Sequence, residues 1–394
     1  MIILSVNAGS SSLKFTGFKM PSEEVIVSGL FERIGIAGGC YTIKLNGEKI
    51  KKEHDLPNHE EAVRILIDEL LSNGVVKSLD EIEGVGHRLV HGGEKYADSV
   101  LIDDDVIKTV TELIPLAPLH NPCNLIGVET FRKLLPNVKN VGVFDTAFHQ
   151  SMDKSAYIYP VPYEWYTNYG VRKYGFHGTS HKYINAKISE ILGRNDLKVI
   201  SCHLGNGGSI TAIDGGKVVD TTMGFTPNAG LVMGSRSGDI DTTMIPYVMS
   251  KCNSSLDDVI NDLNKKSGLL GISGVSSDSR DIESGIRNGD ERCMLAQEIY
   301  ERRIVSYIAS YYVLLGGADV ICFAGGVGEN GIDTRRSIIS KLAVLGIKVD
   351  EEANNVRGEV RKISSDDSSV MCYLIPTDEE VMIARDTYNI ITGK

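Results

Sequence analysis

Residues 2–18 read IILSVNAGSSSLKFTGF: an apolar strand, a Gly/Ser turn and a second strand. Residues 198–213, KVISCHLGNGGSITAI, repeat the reading, with Asn7-Ala8-Gly9-Ser10 answered by Asn206-Gly207-Gly208-Ser209. A third apolar stretch, Val320-Ile321-Cys322-Phe323, also runs into a glycine turn, Gly325-Gly326-Val327-Gly328. Gly/Ser turns are how hairpins are ordinarily made. Three of them at strand ends, however, present backbone N–H groups that can converge on one polyanion. In the first turn, serines 10–12 fill no core, and Lys14 adds positive charge.

Working outward, strand-like and helix-like segments alternate, so the class is α/β. A helix is predicted after Asn58, with Glu61 in capping-box spacing, Val63, Leu66, Ile67, Leu70 and Leu71 on one face, and Gly74 as its stop. A longer helix is expected from about Arg292 to Leu315, ending at Gly316-Gly317, and a last one near Thr377, with Glu380 three residues on.

With 394 residues the chain suits two domains rather than one core. A net charge of −11 argues against nucleic acid or an anionic membrane as partner. No apolar run approaches the ~18–20 residues that span a bilayer, and the N-terminus reads as a strand rather than a secretion signal, so a cytoplasmic protein is expected. Seven scattered cysteines without a Cys-x-x-Cys pair argue against a disulfide framework or structural zinc.

Several motifs crowd cations and imidazoles into Gly/Pro-bounded turns at strand ends, where open α/β sheets bind ligands. Gly86-His87-Arg88-Leu89-Val90-His91-Gly92-Gly93 carries one Arg and two His; the rigid apolar Leu116–Pro122 loop carries a histidine, His120; Asp145 closes an apolar strand. Tyr174-Gly175-Phe176-His177-Gly178-Thr179-Ser180-His181 has an i, i+4 His pair but lacks the Glu and third ligand of a zinc site. No Walker P-loop is present. The strongest competing signal is Gly326-Val327-Gly328-Glu329-Asn330-Gly331, a literal G-x-G-x-x-G after a strand, with Asp350 near the distance of a ribose ligand. Taken alone it suggests an NAD-dependent dehydrogenase; too little chain follows to complete such a domain, and the other turns stay unexplained.

Together these stretches resemble the acetate kinase family, over essentially the whole chain. Asn7 to Lys14, Arg172 to His181, His203-Leu204-Gly205-Asn206-Gly207, Gly326 to Asn330 and Ile375 to Glu380 all look like family motifs in the right order. The resemblance implies two similar ribonuclease H-like lobes, as in sugar kinases, chaperone ATPases and actin, with an interlobe cleft. The N-terminal, phosphate- and substrate-side lobe would span 1–150 plus 382–394, and the nucleotide-binding, dimerising lobe 151–381. It further implies reversible phosphoryl transfer from ATP to acetate, with Mg²⁺ (or Mn²⁺), in a homodimer.

By motif matching, Arg88 and Arg236 would grip the carboxylate and the transferring phosphoryl group. His177 would stabilise that group, with His120 nearby, and Asp145 would orient substrate or help hold the metal. Asn7 and Glu379 would position Mg²⁺. Nucleotide would lie along 203–207 (His203, Leu204, Gly205, Asn206, Gly207), Asp278-Ser279-Arg280 and Gly326-Val327-Gly328-Glu329-Asn330, with Lys14 supplying charge. Val90, Leu119, Phe176 and Pro227 would receive the methyl. Ser279 stands where the family carries a bulky apolar residue, which bears on nucleotide preference. Propionate and butyrate kinases share parts of the pattern, and a non-enzymatic ATP-binding switch is a third reading that this crowd of His and Arg disfavours.

Overall fold

The computed structural model describes residues 1–118 and 120–394. The chain divides into two compact units, Met1–Gln150 with Asp378–Lys394, and Ser151–Thr377. No helix of the described residues is long and apolar enough to cross a membrane, and the seven cysteines are free.

In the first unit, β1 (Ile2–Ala8), β2 (Ser12–Lys19), β3 (Glu24–Glu32), β4 (Cys40–Leu45), β5 (Glu48–Glu53), β6 (Ile82–Leu89), β7 (Val100–Leu101) and β8 (Lys139–Phe144) form one sheet. Its order is β5-β4-β3-β2-β1-β6-β8-β7. The strands β1 to β5 pair antiparallel, while β1, β6 and β8 run parallel. Period-2 alternation along β6 assigns its two faces. His87 packs edge-on to Phe131 of the helix Asn121–Leu134. Gly84 and Gly86 face the last helix, Glu379–Thr392, so closely that a Cβ on Gly86 would fall 2.3 Å from Thr387 Oγ1. Glycine is therefore required there by contact rather than by a turn.

The predicted helix after Asn58 runs His59–Ser72, its Asn58 side chain accepting from Glu61 N at 3.0 Å. Val63, Leu66, Ile67 and Leu70 are buried, but Leu71 is 38% exposed at the edge of the apolar stripe. The last helix is capped by Asp378, which accepts from Val381 N, and not by Thr377. Asp378 is an equally good cap residue one step on, and the Thr377 N–H is already committed to Glu329 Oε1.

In the second unit, β9 (Lys198–Leu204), β10 (Gly208–Asp214), β11 (Lys217–Thr221), β12 (Val320–Ala324), β13 (Arg361–Lys362) and β14 (Met371–Leu374) form a sheet ordered β11-β10-β9-β12-β14-β13. Again an antiparallel hairpin, β9 and β10, is followed by parallel neighbours β12 and β14. The run β11-β10-β9-β12-β14 thus repeats β3-β2-β1-β6-β8. Each unit is a ribonuclease H-like α/β lobe, and the hairpin duplication is the trace of that repeat in the chain. The helix Glu291–Leu314 buries Ala296, Tyr300, Ile304, Ile308 and Tyr311 at helical spacing against this sheet.

Candidate active site

In the first unit, chemistry gathers at the C-terminal ends of the parallel strands, where side chains emerge beyond the hydrogen-bonded ladder. Arg88 lies next to last in β6, and Asp145 follows β8 directly. Their side chains form a fork, Arg88 Nε to Asp145 Oδ1 at 3.1 Å and Nη2 to Oδ2 at 2.6 Å. The Asp145 carboxylate, against the opposing effect of burial and with Glu379 adding to the rise, holds the Arg88 guanidinium well above its ordinary pKa. Asp145 is buried, and both of its oxygens serve Arg88.

The first helical residue after the Asp378 cap is Glu379. Its Oε1 is buried with no hydrogen-bond partner among the described residues. Burial pushes its carboxyl up to about 7; the Arg88 charge pulls the other way, and the Asp145 and Glu380 carboxylates add to the rise. Asn7 is half-buried at the end of β1, in register with Lys14, whose ammonium pairs with Glu380. A buried, orphaned carboxylate oxygen suits a hard divalent cation that keeps most of its ligands as water and phosphate. No cluster of three or more His, Cys, Asp or Glu is arranged as a metal site among the described residues.

Two residues that carried no sequence signal organise this edge. Asn124, in the helix Asn121–Leu134, donates to Ala8 O at 2.9 Å and accepts from Val90 N at 3.1 Å, tying the end of β1 to the chain leaving β6. His59 Nε2 sits 2.8 Å from Gly9 O, fixing the serine turn. His120 occupies the N-cap position of the helix that bears Asn124, and Val90 is buried. Leu119 lies outside the described residues.

The second unit holds a histidine network. His177 adopts a left-handed backbone (φ 59°) where the helix Gly178–Leu192 starts, and its Nδ1 is 2.9 Å from Ser209 Oγ. His181 Nε2 meets the same hydroxyl at 2.8 Å, and its Nδ1 meets Ser201 Oγ at 2.8 Å. His203, near the end of β9, holds Ser180 Oγ at 2.8 Å, and Ser180 meets Thr377 Oγ1 at 2.7 Å. The His177 and His203 rings lie 4.3 Å apart, centroid to centroid. A Cβ built on Gly207 would stand 3.4 Å from Arg236 Nη1 and 3.6 Å from His177 Nε2, so those three converge. Burial pulls the Arg236 guanidinium below its ordinary pKa, and its Nη1 donates to Pro227 O at 3.2 Å. Phe176 is buried and Pro227 half-buried.

Beside this cluster, a cavity of about 780 Å³ is lined by Gly205, Asn206, Asp278, Ser279, Arg280, Gly326, Val327 and Asn330 from the three predicted stretches. Gly234, Leu269, Ser277, Glu283 and Arg357 line it without a sequence signal, as does Gly331, which entered only through the dinucleotide reading. Asp278 caps the helix Ser279–Arg287, and its bonds to the Arg280 side chain and N–H draw its carboxyl down to about 2. His203, Leu204, Gly207, Gly328 and Glu329 are not among the lining residues. Glu329 Oε1 instead accepts from Gly325 N at 2.9 Å and Thr377 N at 3.1 Å.

The dinucleotide reading of 326–331 fails on topology. Gly325–Asn330 is itself a short helix, and Gly331 separates it from a second helix, Ile332–Lys341. Asp350 caps another helix, Glu351–Asn354, accepting from Glu352 N and Ala353 N. The sheet also carries an antiparallel hairpin where a doubly wound dinucleotide fold continues with parallel strands.

Comparison with known proteins agrees. The profile of the acetokinase family matches residues 2–385. Acetate kinases of Bacillus velezensis and Bacillus subtilis are each 54% identical over 390 residues, covering 98% of this chain and 99% of theirs. The crystal structure of Porphyromonas gingivalis acetate kinase superposes with a TM-score of 0.95 at 46% identity over 99% of both chains. A propionate kinase from Francisella tularensis follows at 0.94 and 41%, again over 99% of both. With a profile spanning nearly every residue and relatives more than half identical, this chain belongs to the acetokinase family.

Proposed function

We propose that the protein transfers the terminal phosphoryl group of ATP to acetate, reversibly, giving acetyl phosphate and ADP by direct in-line displacement. The observation that carries this reading is the 54% identity, over 98% of the chain, to two acetate kinases. Acetate is ionised and nucleophilic at neutral pH, so the reaction needs positioning and charge neutralisation more than a base. The site has that character. Arg88 is held rigid by Asp145 for a forked oxyanion contact. Arg236 and His177 present donors together at Gly207. On this reading the cavity at Gly205, Gly326 and Arg280 would take the nucleotide, while the family resemblance alone assigns the methyl to Val90, Leu119, Phe176 and Pro227. In this reading Asp145 acts through Arg88.

Glu379 and Asn7 would hold Mg²⁺ or Mn²⁺, which supplies charge to the nucleotide's phosphate oxygens when bound. The Glu379 carboxyl, uncharged when protonated, would release its proton as the cation arrives. We also propose a cytoplasmic homodimer, testable by light scattering on the purified protein.

ATP- and Mg²⁺-dependent acetyl hydroxamate formation from acetate and hydroxylamine tests the reaction. Wild-type protein that releases no ADP in response to acetate would overturn it. Arg88→Ala and Arg236→Ala should each lose activity by orders of magnitude while staying folded. The likeness to a propionate kinase favours a second reading, a longer acyl acceptor. One methylene is worth only about 1–3 kcal/mol in a pocket, so both acids should turn over, and their kcat/KM ratio decides the preference.

A further inference from the structure

We propose that Arg357 recognises the nucleotide and that the buried Arg335 positions it, by riveting the segment 354–358 to the glycine helix Gly325–Asn330. The inference rests on reading the cavity as a nucleoside polyphosphate site, and it deepens that reading.

Arg335 is among the largest fully buried side chains, yet it has no carboxylate partner among the described residues. Its guanidinium is satisfied by carbonyls alone. Nη1 donates to Gly328 O at 2.8 Å, Nε to Asn354 Oδ1 at 2.9 Å, and Nη2 to Asn354 O and Val356 O at 2.9 and 2.7 Å. One planar fork thus spans the glycine helix on one side and the segment on the other. Gly358 N adds a bond to Glu329 O at 3.2 Å, and Asn354 Nδ2 one to Ile332 O at 3.0 Å. Asp350, by capping Glu351–Asn354, holds the residue that receives two of the four Arg335 bonds. Burying an unpaired cation is costly: the burial draws Arg335 down to about 10, and an apolar side chain would fill the space more cheaply. What the guanidinium adds is a fixed spacing between two walls of the cavity.

The segment carries Arg357 into the lining beside Gly326, Val327, Asn330 and Gly331. Two carboxylates, Asp278 and Glu283, also line the cavity, and Arg280 is bound to the first. The Arg357 side chain makes no hydrogen bond or ion pair with any described residue. It is exposed, and it is the lining cation left uncommitted to meet a polyanion.

ADP binding by titration calorimetry, with steady-state ATP kinetics, tests the assignment. Arg357→Gln should weaken ADP and raise the KM for ATP about tenfold, the share of one charge-assisted hydrogen bond, with a smaller change in kcat and none in the KM for acetate. Arg335→Met should reproduce that split, and Arg335→Lys should restore part of it. Asn354→Ala, which removes one of the four bonds, covers the case in which Arg335→Met does not fold. Wild-type ADP affinity in Arg357→Gln overturns recognition. A loss of kcat without a KM effect in the Arg335 and Asn354 variants overturns the positioning role. ADP binding needs no acetate, so wild-type protein that binds ADP but lacks acetate-dependent turnover would sink the proposed reaction and leave this inference standing.

Discussion

Removing the Asp145 carboxylate tests most sharply whether the Arg88 fork is a working part. Asp145 is 1% exposed, while the Arg88 side chain retains 23% of its exposure. Asp145→Ala deletes both bonds, at 3.1 and 2.6 Å, and leaves a guanidinium without its counter-charge at the end of β6. Breaking a buried pair costs about 3–5 kcal/mol, and because water reaches Arg88, about 2 kcal/mol is the better expectation for stability. The effect on rate should be larger. Arg88 would then sample several rotamers, and losing one preorganised donor costs about 10²–10³ in kcat. Asp145→Asn, which keeps the shape and one acceptor, should fall between. Hydroxamate formation at saturating ATP, with circular dichroism melts as a folding control, reads both effects. If folded Asp145→Ala keeps more than half of the wild-type kcat and an unchanged KM for acetate, the fork has no catalytic role.

Three further expectations follow from the geometry. Burial raises the Glu379 carboxyl from 4.5 to about 7, so its contribution to stability is complete below pH 4.5 and is lost as pH rises through 7. Without metal, the unfolding free energy of wild type relative to Glu379→Gln, read by urea unfolding, should therefore drop between pH 5 and 8 by about 3 kcal/mol; a pH-independent difference refutes it. Ser209→Ala removes the hydroxyl shared by His177 Nδ1 and His181 Nε2 and should lower kcat about tenfold at little cost in the KM for ATP; an unchanged kcat would show that His177 needs no such support. Gly86→Val places methyls into Thr387 and Ile383 and should destabilise the first unit by about 1–3 kcal/mol, measured by urea unfolding, and wild-type stability would contradict the close helix contact.

Local signals carried the fold. The hairpin repeat is legible because strand, turn and strand are contiguous, and the capped helices because caps lie within three residues of what they bind. The glycine stretches that line the cavity were legible for the same reason. What stayed hidden depends on partners far apart in the chain. Asn124 ties β1 to β6 across more than a hundred positions, and the segment that carries Arg357 is held by carbonyl contacts to Arg335, about twenty positions away. Glu329 looked like a nucleotide ligand because it sits in a glycine loop, yet its carboxylate is spent on two backbone N–H groups. Such commitments to the main chain have no residue-type signature. The glycine fingerprint misled because its spacing is short enough to open a helix in an unrelated topology.

The packing of the last helix onto Gly84 and Gly86 also sets an order of assembly during synthesis. Residues 151–377 form a contiguous unit that can close as soon as they leave the ribosome. The sheet made first must wait, one apolar face uncovered, until the closing segment 378–394 emerges. The nascent N-terminal half is thus the stage most in need of chaperone protection, and premature termination within the final turns leaves that face bare for good.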